Sequence, residues 1–470
     1  MSLRWLKHRS VVAVLLVALL VLSACTGGGG NSGSENATGD PPEATSTDTP
    51  AAEDTGTATD EPEPQPEPEK HDPVELTIHG WFFSPALKAT IAAFMEEYPW
   101  ITVTENTSIN QAVINNIIAG EKSDLVILDR GLSEWVTNGN DLLEDLTPYL
   151  DKDERIQNSN LVEGLLESFS TGGKTYALPW TDIPMWIAVN KELLSKYGME
   201  MPGSDWTYDD LLEMAKKATN KDANDWGMFG LAGDMNDIRA IANGSAGSAR
   251  LLSADRTKSV ADSPEVLADL QWSQDLIRKW NVQPNPEQIK ENGFAGDPAV
   301  NFVNGNFLFI TGVDWILPTL QQATFDWDVL PFPRGSQRQV TLHQVGPMSM
   351  VKASEHKEEA FMFLSFLFSE KAQKLSIDNG SGSWVKSPEI DAYYDQAAIW
   401  KGKNIENVKM SAQMCCYWND MNVMDLGDYV NSVSARIGKM MNEGGNFSEV
   451  IPFVEEYNKK AAETRKALGW

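Results

Sequence analysis

The sequence predicts an α/β fold from Val74 onward, and three observations lead to this prediction. Apolar and polar residues alternate as in a half-buried strand, helical stretches carry their apolar residues on one face, and one short run is wholly apolar, as in a buried parallel strand. These patterns follow the order strand, helix, strand, helix, strand, at 74–80, 86–98, 101–103, 113–120 and 124–128. A β-α-β-α-β order indicates a sheet covered by helices, whose strand ends are the usual places for ligands.

The same patterns continue to the end of the chain. Residues 173–180 are typical of a hairpin followed by a segment that crosses between sheets. Thr207 and Asp210 have the spacing of a helix capping box. Further helices are predicted at 191–197, 207–219, 264–280, 357–368 and 448–468, and further strands at 307–311, 326–331 and 346–351.

Length and charge limit the function classes. The chain has 470 residues, which is too long for one ordinary domain, and a formal net charge of −29. Such an acidic chain is a poor candidate for binding nucleic acid or an anionic membrane through its surface. Three cysteines exclude a disulfide scaffold.

The first 25 residues have the pattern of an export signal. Three basic residues precede twelve apolar residues at 11–22, a run too short to span a bilayer but long enough for a signal-peptide core. Leu22-Ser23-Ala24-Cys25 then resembles the bacterial lipobox, which implies that Cys25 carries a lipid anchor. A plain secretory signal with an incidental cysteine is the alternative.

Residues 26–73 have the composition of a disordered acidic tether. Glycine, serine, threonine and proline dominate, with 12 acidic residues and one lysine. A segment with so few bulky apolar residues cannot bury enough surface to offset its ordering entropy. We expect it to hold the folded body away from a lipid surface.

Five segments of the body, in order, resemble the solute-binding proteins of carbohydrate ABC transporters, the maltose-binding-protein-like family. They comprise the opening strand and helix with Tyr98-Pro99-Trp100; Gly173-Lys174-Thr175-Tyr176-Ala177-Leu178-Pro179 with Val189-Asn190-Lys191 and Asp205-Trp206-Thr207; Phe302-Val303-Asn304-Gly305-Asn306-Phe307 with Gly312-Val313-Asp314-Trp315; Trp327-Asp328-Val329-Leu330-Pro331; and Val351-Lys352-Ala353-Ser354 with the helix that follows. Val189 departs from the family, which usually has tyrosine there.

The resemblance implies a two-lobed periplasmic-binding-protein-like fold with a ligand held between discontinuous lobes. It implies lobe 1 at 74–182 plus about 328–380 and lobe 2 at 183–327 plus about 384–470, with crossings near 181–184, 325–329 and 379–384. Closure around a sugar would then present the protein, as a monomer, to an ABC permease in the membrane.

Sugar binding needs flat apolar faces and planar polar groups, and these residue types define the candidate site. Tryptophans in predicted loops or crossings supply the first: Trp81, Trp180, Trp315, Trp384 and Trp418. The resemblance singles out Trp315, in the family's Gly-x-x-Trp segment, as a residue that stacks on sugar. Polar candidates are Asp129, Asp182, Asp314 and His343. Core packing of each tryptophan, and turn or strand-end capping by each aspartate, are the alternatives.

The adjacent Cys415 and Cys416 either form a vicinal disulfide or stay reduced and buried. The five histidines lack metal-ligand spacing, and the sequence predicts neither a metal nor a cofactor. The expected protein is therefore not an enzyme but a lipid-anchored sugar-binding protein on the extracellular face of the membrane, with a long tether that favours a Gram-positive cell. A surface-anchored glycoside hydrolase or an adhesion lipoprotein is the alternative.

Overall fold

The computed structural model describes residues 71–108, 111–128, 135, 141–162, 164–418, 421 and 423–469. The predicted signal, the lipidation residue Cys25 and nearly all of the predicted tether lie outside the described residues. Among the described residues, no helix combines the length and the apolar composition that crossing a membrane requires.

The strands of the described part are β1 (Val74–Gly80), β2 (Ile101–Thr107), β3 (Leu125–Ile127), β4 (Ser170–Thr171), β5 (Lys174–Thr175), β6 (Leu178–Pro184), β7 (Trp186–Asn190), β8 (Trp226–Phe229), β9 (Phe307–Gly312), β10 (Trp327–Leu330), β11 (His343–Met350) and β12 (Tyr417–Trp418).

Its α-helices are α1 (Pro85–Glu97), α2 (Gln111–Ile118), α3 (Thr147–Leu150), α4 (Glu154–Gln157), α5 (Lys191–Lys196), α6 (Tyr208–Ala218), α7 (Leu231–Asn243), α8 (Pro264–Arg278), α9 (Pro286–Glu291), α10 (Pro298–Val303), α11 (Leu317–Leu320), α12 (Lys357–Phe366), α13 (Glu370–Asp378), α14 (Pro388–Tyr394), α15 (Ile405–Gln413), α16 (Leu426–Tyr429), α17 (Ala435–Glu443) and α18 (Ile451–Leu468).

Local sequence signals account for where the long helices begin. The side chain of Ser84 accepts a hydrogen bond from the amide of Leu87 at 3.1 Å, and Pro85 occupies the first helical position of α1, where its missing N–H costs nothing. The predicted capping box is present at α6: Thr207 accepts from the amide of Asp210 at 3.2 Å, and the Asp210 carboxylate accepts from the amide of Thr207 at 2.8 Å.

The first lobe is built on a mixed six-stranded sheet. Its main order is β12-β11-β3-β1-β2, and β6 also pairs with β11. Strands β1, β2 and β3 run parallel, as the β-α-β-α-β pattern predicts, while β11 is antiparallel to β3 and β6. Its core includes Leu76, Phe94 and Phe363, which are fully buried.

The second lobe is built on a four-stranded sheet with the order β10-β7-β9-β8. β7 lies antiparallel between β9 and β10, and β8 is parallel to β9. A separate apolar core surrounds this sheet and includes Ile187, Phe309 and Val329. Two sheets with two cores confirm the predicted α/β, two-lobed class.

One predicted boundary differs from the structure. The sequence places residues from about 328 onward in lobe 1, with a crossing near 325–329, but β10 pairs with β7 in the second sheet, with Val329 opposite Ala188. Val340 and Leu342 also belong to the second core, so the chain reaches the first sheet only at β11. An apolar strand such as β10 suits either sheet, and its sequence does not specify its partner.

The connections between the lobes lie close together. β6 of the first sheet and β7 of the second are separated by Met185 alone. β11 pairs with β6 from His343, opposite Pro184, so two connecting strands lie side by side. After α13 the chain passes between the cores again, because Ile377 belongs to the second core and Trp384 to the first. The short β12 then joins the first sheet beside β11.

Candidate functional site

A cavity of about 810 Å³ lies between the two cores. Most of the residues that line it are aromatic or aliphatic, and the polar ones are a minority of hydroxyls, amides and carboxylates. Both lobes contribute to it, because its walls include Trp81 and Trp180 beside the first core and Trp315 and Pro318 beside the second. A volume of this size fits within the range of small-molecule sites.

The first wall is an aromatic pair that follows β1. Trp81 is 48% exposed and Phe82 is 47% exposed, and their ring centroids are 5.6 Å apart in a stacked arrangement. Gly80 precedes them in a tight place, since a Cβ there would lie 2.8 Å from Cδ1 of Ile127. The strand end therefore presents two large apolar faces to the cavity, and the prediction for Trp81 is consistent with this position.

The opposite wall follows β9, at the Gly-x-x-Trp segment. Residues Asp314–Ile316 form a single 3₁₀ turn, and Trp315 projects from it with 57% of its surface exposed. Asp314 lines the same wall, and its carboxylate accepts a hydrogen bond from the hydroxyl of Ser381. Burial raises the pKa of Asp314, and the hydrogen bond from Ser381 partly offsets that effect.

Two further tryptophans complete the aromatic lining. Trp180, on β6, is mostly buried and packs tightly against β11, because a Cβ on Gly346 would come within 2.3 Å of its Nε1. Only glycine fits at that position on β11. Trp418, on β12, also lines the cavity, and the guanidinium of Arg250 lies 4.9 Å from its ring centroid.

Asp182 and His343 form a buried pair behind the cavity. Nδ1 of His343 is 2.7 Å from Oδ1 of Asp182, and both side chains are fully buried. The carbonyl of Asp182 also accepts from the amide of Gly382 at 2.6 Å, which ties β6 to the third connection. The prediction that these two residues contact the ligand needs correction, because the structure uses them to join the connecting segments and leaves them outside the cavity lining.

The structure also gives a different position for Trp384. Its side chain is 2% exposed in the first core, with its ring 6.0 Å from that of Phe368 in an edge contact. Trp384 therefore packs in a core, which is the alternative to ligand contact that the sequence left open. Asp129, the remaining predicted ligand contact, lies outside the described residues.

Cys415 and Cys416 are joined as a disulfide directly before β12. Their backbone holds β12 to the connection before β11: the amide of Thr341 donates to the carbonyl of Cys415 at 2.9 Å, and that of His343 to the carbonyl of Cys416 at 2.8 Å. The pair is not part of the cavity lining, although Trp418, two residues later, is.

Several lining residues were not among the sequence candidates. They include Phe82, Gln344, Asp378, Asn379, Ser381, Ile399 and Met421. Phe82 and Gln344 adjoin predicted residues, so extending each candidate by one position would have found them. Asp378 is the last residue of α13, and Asn379 and Ser381 follow it. Asn379 and Ser381 lie within the predicted crossing near 379–384, but no side-chain pattern marked them as ligand contacts.

Comparisons with known proteins agree with this architecture. The model of the bacterial extracellular solute-binding protein family matches residues 83–374. A putative binding protein from Brucella abortus is 25% identical over 296 residues, which are 60% of this chain and 68% of that protein.

Solved structures share the fold. An ABC substrate-binding protein from Listeria monocytogenes in complex with cycloalternan is 24% identical, with a TM-score of 0.67 over 85% of this chain and all of that one. The maltose-bound MalE3 of T. maritima is 22% identical, with a TM-score of 0.62 over 82% of this chain and 99% of that one. At these identities the two structures establish a common fold.

Proposed function

Because the chain belongs to the family of bacterial extracellular solute-binding proteins, which work outside the cytoplasm, we propose that it captures a sugar between its lobes and delivers it to an ABC importer. The observation that carries this proposal is the set of tryptophans that line one cavity from both lobes. The predicted contacts that remain in the proposal are Trp81, Trp180, Asp314, Trp315 and Trp418.

The chemistry of the lining suits a carbohydrate. The C–H faces of a sugar ring pack on flat aromatic surfaces, and Trp81 and Trp315 offer half-exposed rings on opposite lobes. Gln344, Asn379 and Asp314 supply amide and carboxylate groups for ring hydroxyls. The cavity of about 810 Å³ has room for more than one ring, which favours an oligosaccharide. Proteins of the same fold hold cycloalternan and maltose.

The site also explains how binding would be coupled to transport. A ligand that contacts both Trp81 and Trp315 stabilises whichever arrangement of the lobes brings these rings together. Asp182 and His343 keep the connecting segments in register while the lobes move. A permease in the membrane would then recognise the monomeric, ligand-bound form.

Anchoring belongs to the same proposal. A lipid on Cys25 and the acidic segment 26–73 would hold the body at the extracellular face of the membrane, as suits a Gram-positive cell. We expect metabolic labelling with palmitate to mark the wild-type protein and not a Cys25→Ala variant, which should be released from the cells. Equal labelling of both proteins would contradict the anchor and leave sugar binding untouched.

Titration with a sugar panel tests the binding function. Thermal unfolding and calorimetry of the wild type with maltose, mannobiose, tagatose and cycloalternan should give a saturable shift with at least one sugar, recovered intact. Trp315→Ala should weaken that binding at least tenfold, whereas Trp280→Ala should not, because Trp280 is a partly exposed tryptophan of the same lobe outside the cavity lining. Recovery of cleaved sugar would instead indicate the glycoside hydrolase alternative.

A further inference from the structure

The charged groups of the cavity lining all have one sign. Among the described lining residues the carboxylates are Asp314 and Asp378, and no lysine or arginine is among them. The guanidinium of Arg250, which is not itself a lining residue, lies 4.9 Å from the ring centroid of Trp418. Asp182 adds a third carboxyl behind the wall and acts electrostatically on Asp314.

The helix ends at the cavity reinforce this sign. Asp378 is the last residue of α13, and Asn379 and Ser381 directly after it also line the cavity, so the partially negative end of this helix reaches the wall. The first turn of α1, which packs against α13, also reaches the cavity, and its partial charge is positive. There, however, Pro85 has no N–H, and Ser84 already accepts the amide of Leu87. Positions 85 and 87, in the first turn of α1, therefore offer no free backbone N–H to an anion.

Asp314 lacks a cationic partner among the described residues. Its hydrogen bonds come from the hydroxyl of Ser381 and the amide of Trp315, and these groups are neutral. A carboxylate held mostly out of water gains considerably from a cation that enters with the ligand. The adjacent Trp315 adds an exposed aromatic face, which attracts the same kind of group through its quadrupole.

We propose that this cavity prefers saccharides that carry a protonated amine, with the ammonium group against Asp314 and Trp315, over neutral saccharides, and that it rejects anionic ones. This inference rests on the proposed sugar-binding function and specifies its ligand class. The amine replaces one ring hydroxyl, so the other contacts of the sugar with the aromatic walls stay the same.

The test compares matched probes. Maltose and mannobiose are each titrated calorimetrically in three forms: unmodified, with a 2-amino group, and with a 6-carboxylate. On at least one of the two frames, the wild type should bind the amine form at least tenfold more tightly than the unmodified sugar and the carboxylate form most weakly. Added salt should reduce the preference, because the attraction is electrostatic.

Asp314→Asn separates the charge from the shape of the site. It should cost the amine form at least tenfold in affinity and change the unmodified form by less than about threefold. Asp209→Asn, an exposed carboxylate on α6 of the same lobe, should change neither. The wild type provides a check that needs no variant: its preference should vanish above the pH at which the amine of the probe loses its proton.

The outcomes discriminate between the two proposals. If the wild type binds both unmodified sugars as tightly as their amine forms, the amine preference is refuted and the sugar-binding function stands. If Asp314→Asn weakens all forms equally, Asp314 acts through hydrogen bonding alone and the preference is again refuted. If no form of maltose or mannobiose binds, the amine preference is refuted, and if the four-sugar panel also gives no shift, the sugar-binding function fails with it.

Discussion

Replacing Asp234 by asparagine should remove a pH dependence of stability that the wild type has. Asp234 lies in the first turn of α7, partly buried, and its carboxylate accepts the hydroxyl of Thr311 at 2.6 Å. Burial, with a smaller contribution from Asp237, raises its pKa from 3.8 to about 6. The folded state therefore keeps its proton over a pH range in which the unfolded chain has lost it.

The sign and size follow from proton linkage. Stability from this group is present below pH 3.8 and is lost as the pH rises through about 6. Between pH 5.0 and 7.5 the folded state binds more protons at this group than the unfolded state does. Summed over this pH range, the difference is roughly one pH unit, which corresponds to about 1.4 kcal/mol of unfolding free energy. Since the carboxyl keeps some contact with solvent, screening reduces the expected loss to about 1 kcal/mol. Asparagine can still accept from Thr311, so the variant should lack this loss.

Urea unfolding at the two pH values measures the effect. The free energy of unfolding of the wild type, minus that of Asp234→Asn, should fall by about 1 kcal/mol from pH 5.0 to pH 7.5. Asp209→Asn, which changes an exposed acid of another helix, should track the wild type. Equal differences at both pH values would refute the reasoning that burial of Asp234 makes its folded state hold a proton.

Three further substitutions test the packing around the cavity. Trp384→Ala should lower the free energy of unfolding by about 3–5 kcal/mol and leave sugar affinity within about threefold, since the ring fills the first core; a large loss of affinity at unchanged stability would contradict this placement. His343→Ala should cost about 3–5 kcal/mol in urea unfolding by leaving Asp182 buried without its partner, and a cost below 1 kcal/mol would argue against the pair. Gly312→Ala should lower the free energy of unfolding by about 1–3 kcal/mol, because the new Cβ would lie 2.1 Å from the ring of Trp186. An unchanged midpoint of thermal unfolding would show that β7 and β9 shift apart without cost.

Local patterns predicted the elements better than their partners. The capping box at Thr207 and the proline at the start of α1 are short-range signals, and the structure contains both. The assignment of β10 depends on pairing with β7, which lies far away in sequence, and its apolar residues suit either sheet. A property set by long-range pairing is not encoded in the periodicity of one segment.

For the candidate site, too, residue chemistry was predicted better than three-dimensional position. Residue chemistry pointed to tryptophans after strand ends, and Trp81 and Trp315 do line the cavity. The same chemistry also selected Trp384, which is buried in the first core. The sequence around a tryptophan in a polar loop does not indicate whether its ring faces solvent or packs in a core. The wall at the end of α13 carried no side-chain signal for ligand contact, although part of it lies in the predicted crossing near 379–384. Its position depends on the packing of α13 against α1 and on the hydrogen bond from Ser381 to Asp314.

The position of the aromatic rings relative to the connecting strands couples ligand binding in the cavity to the arrangement of the two lobes. Trp180 and Trp418 lie on β6 and β12, which both pair with β11 where the lobes join, whereas Trp81 and Trp315 lie farther out on separate lobes. A ligand that contacts only the inner pair would bind either arrangement of the lobes alike and would shift nothing. One long enough to contact Trp81 and Trp315 as well gains affinity only when they approach each other. Ligand length is therefore the variable that should separate binding from closure.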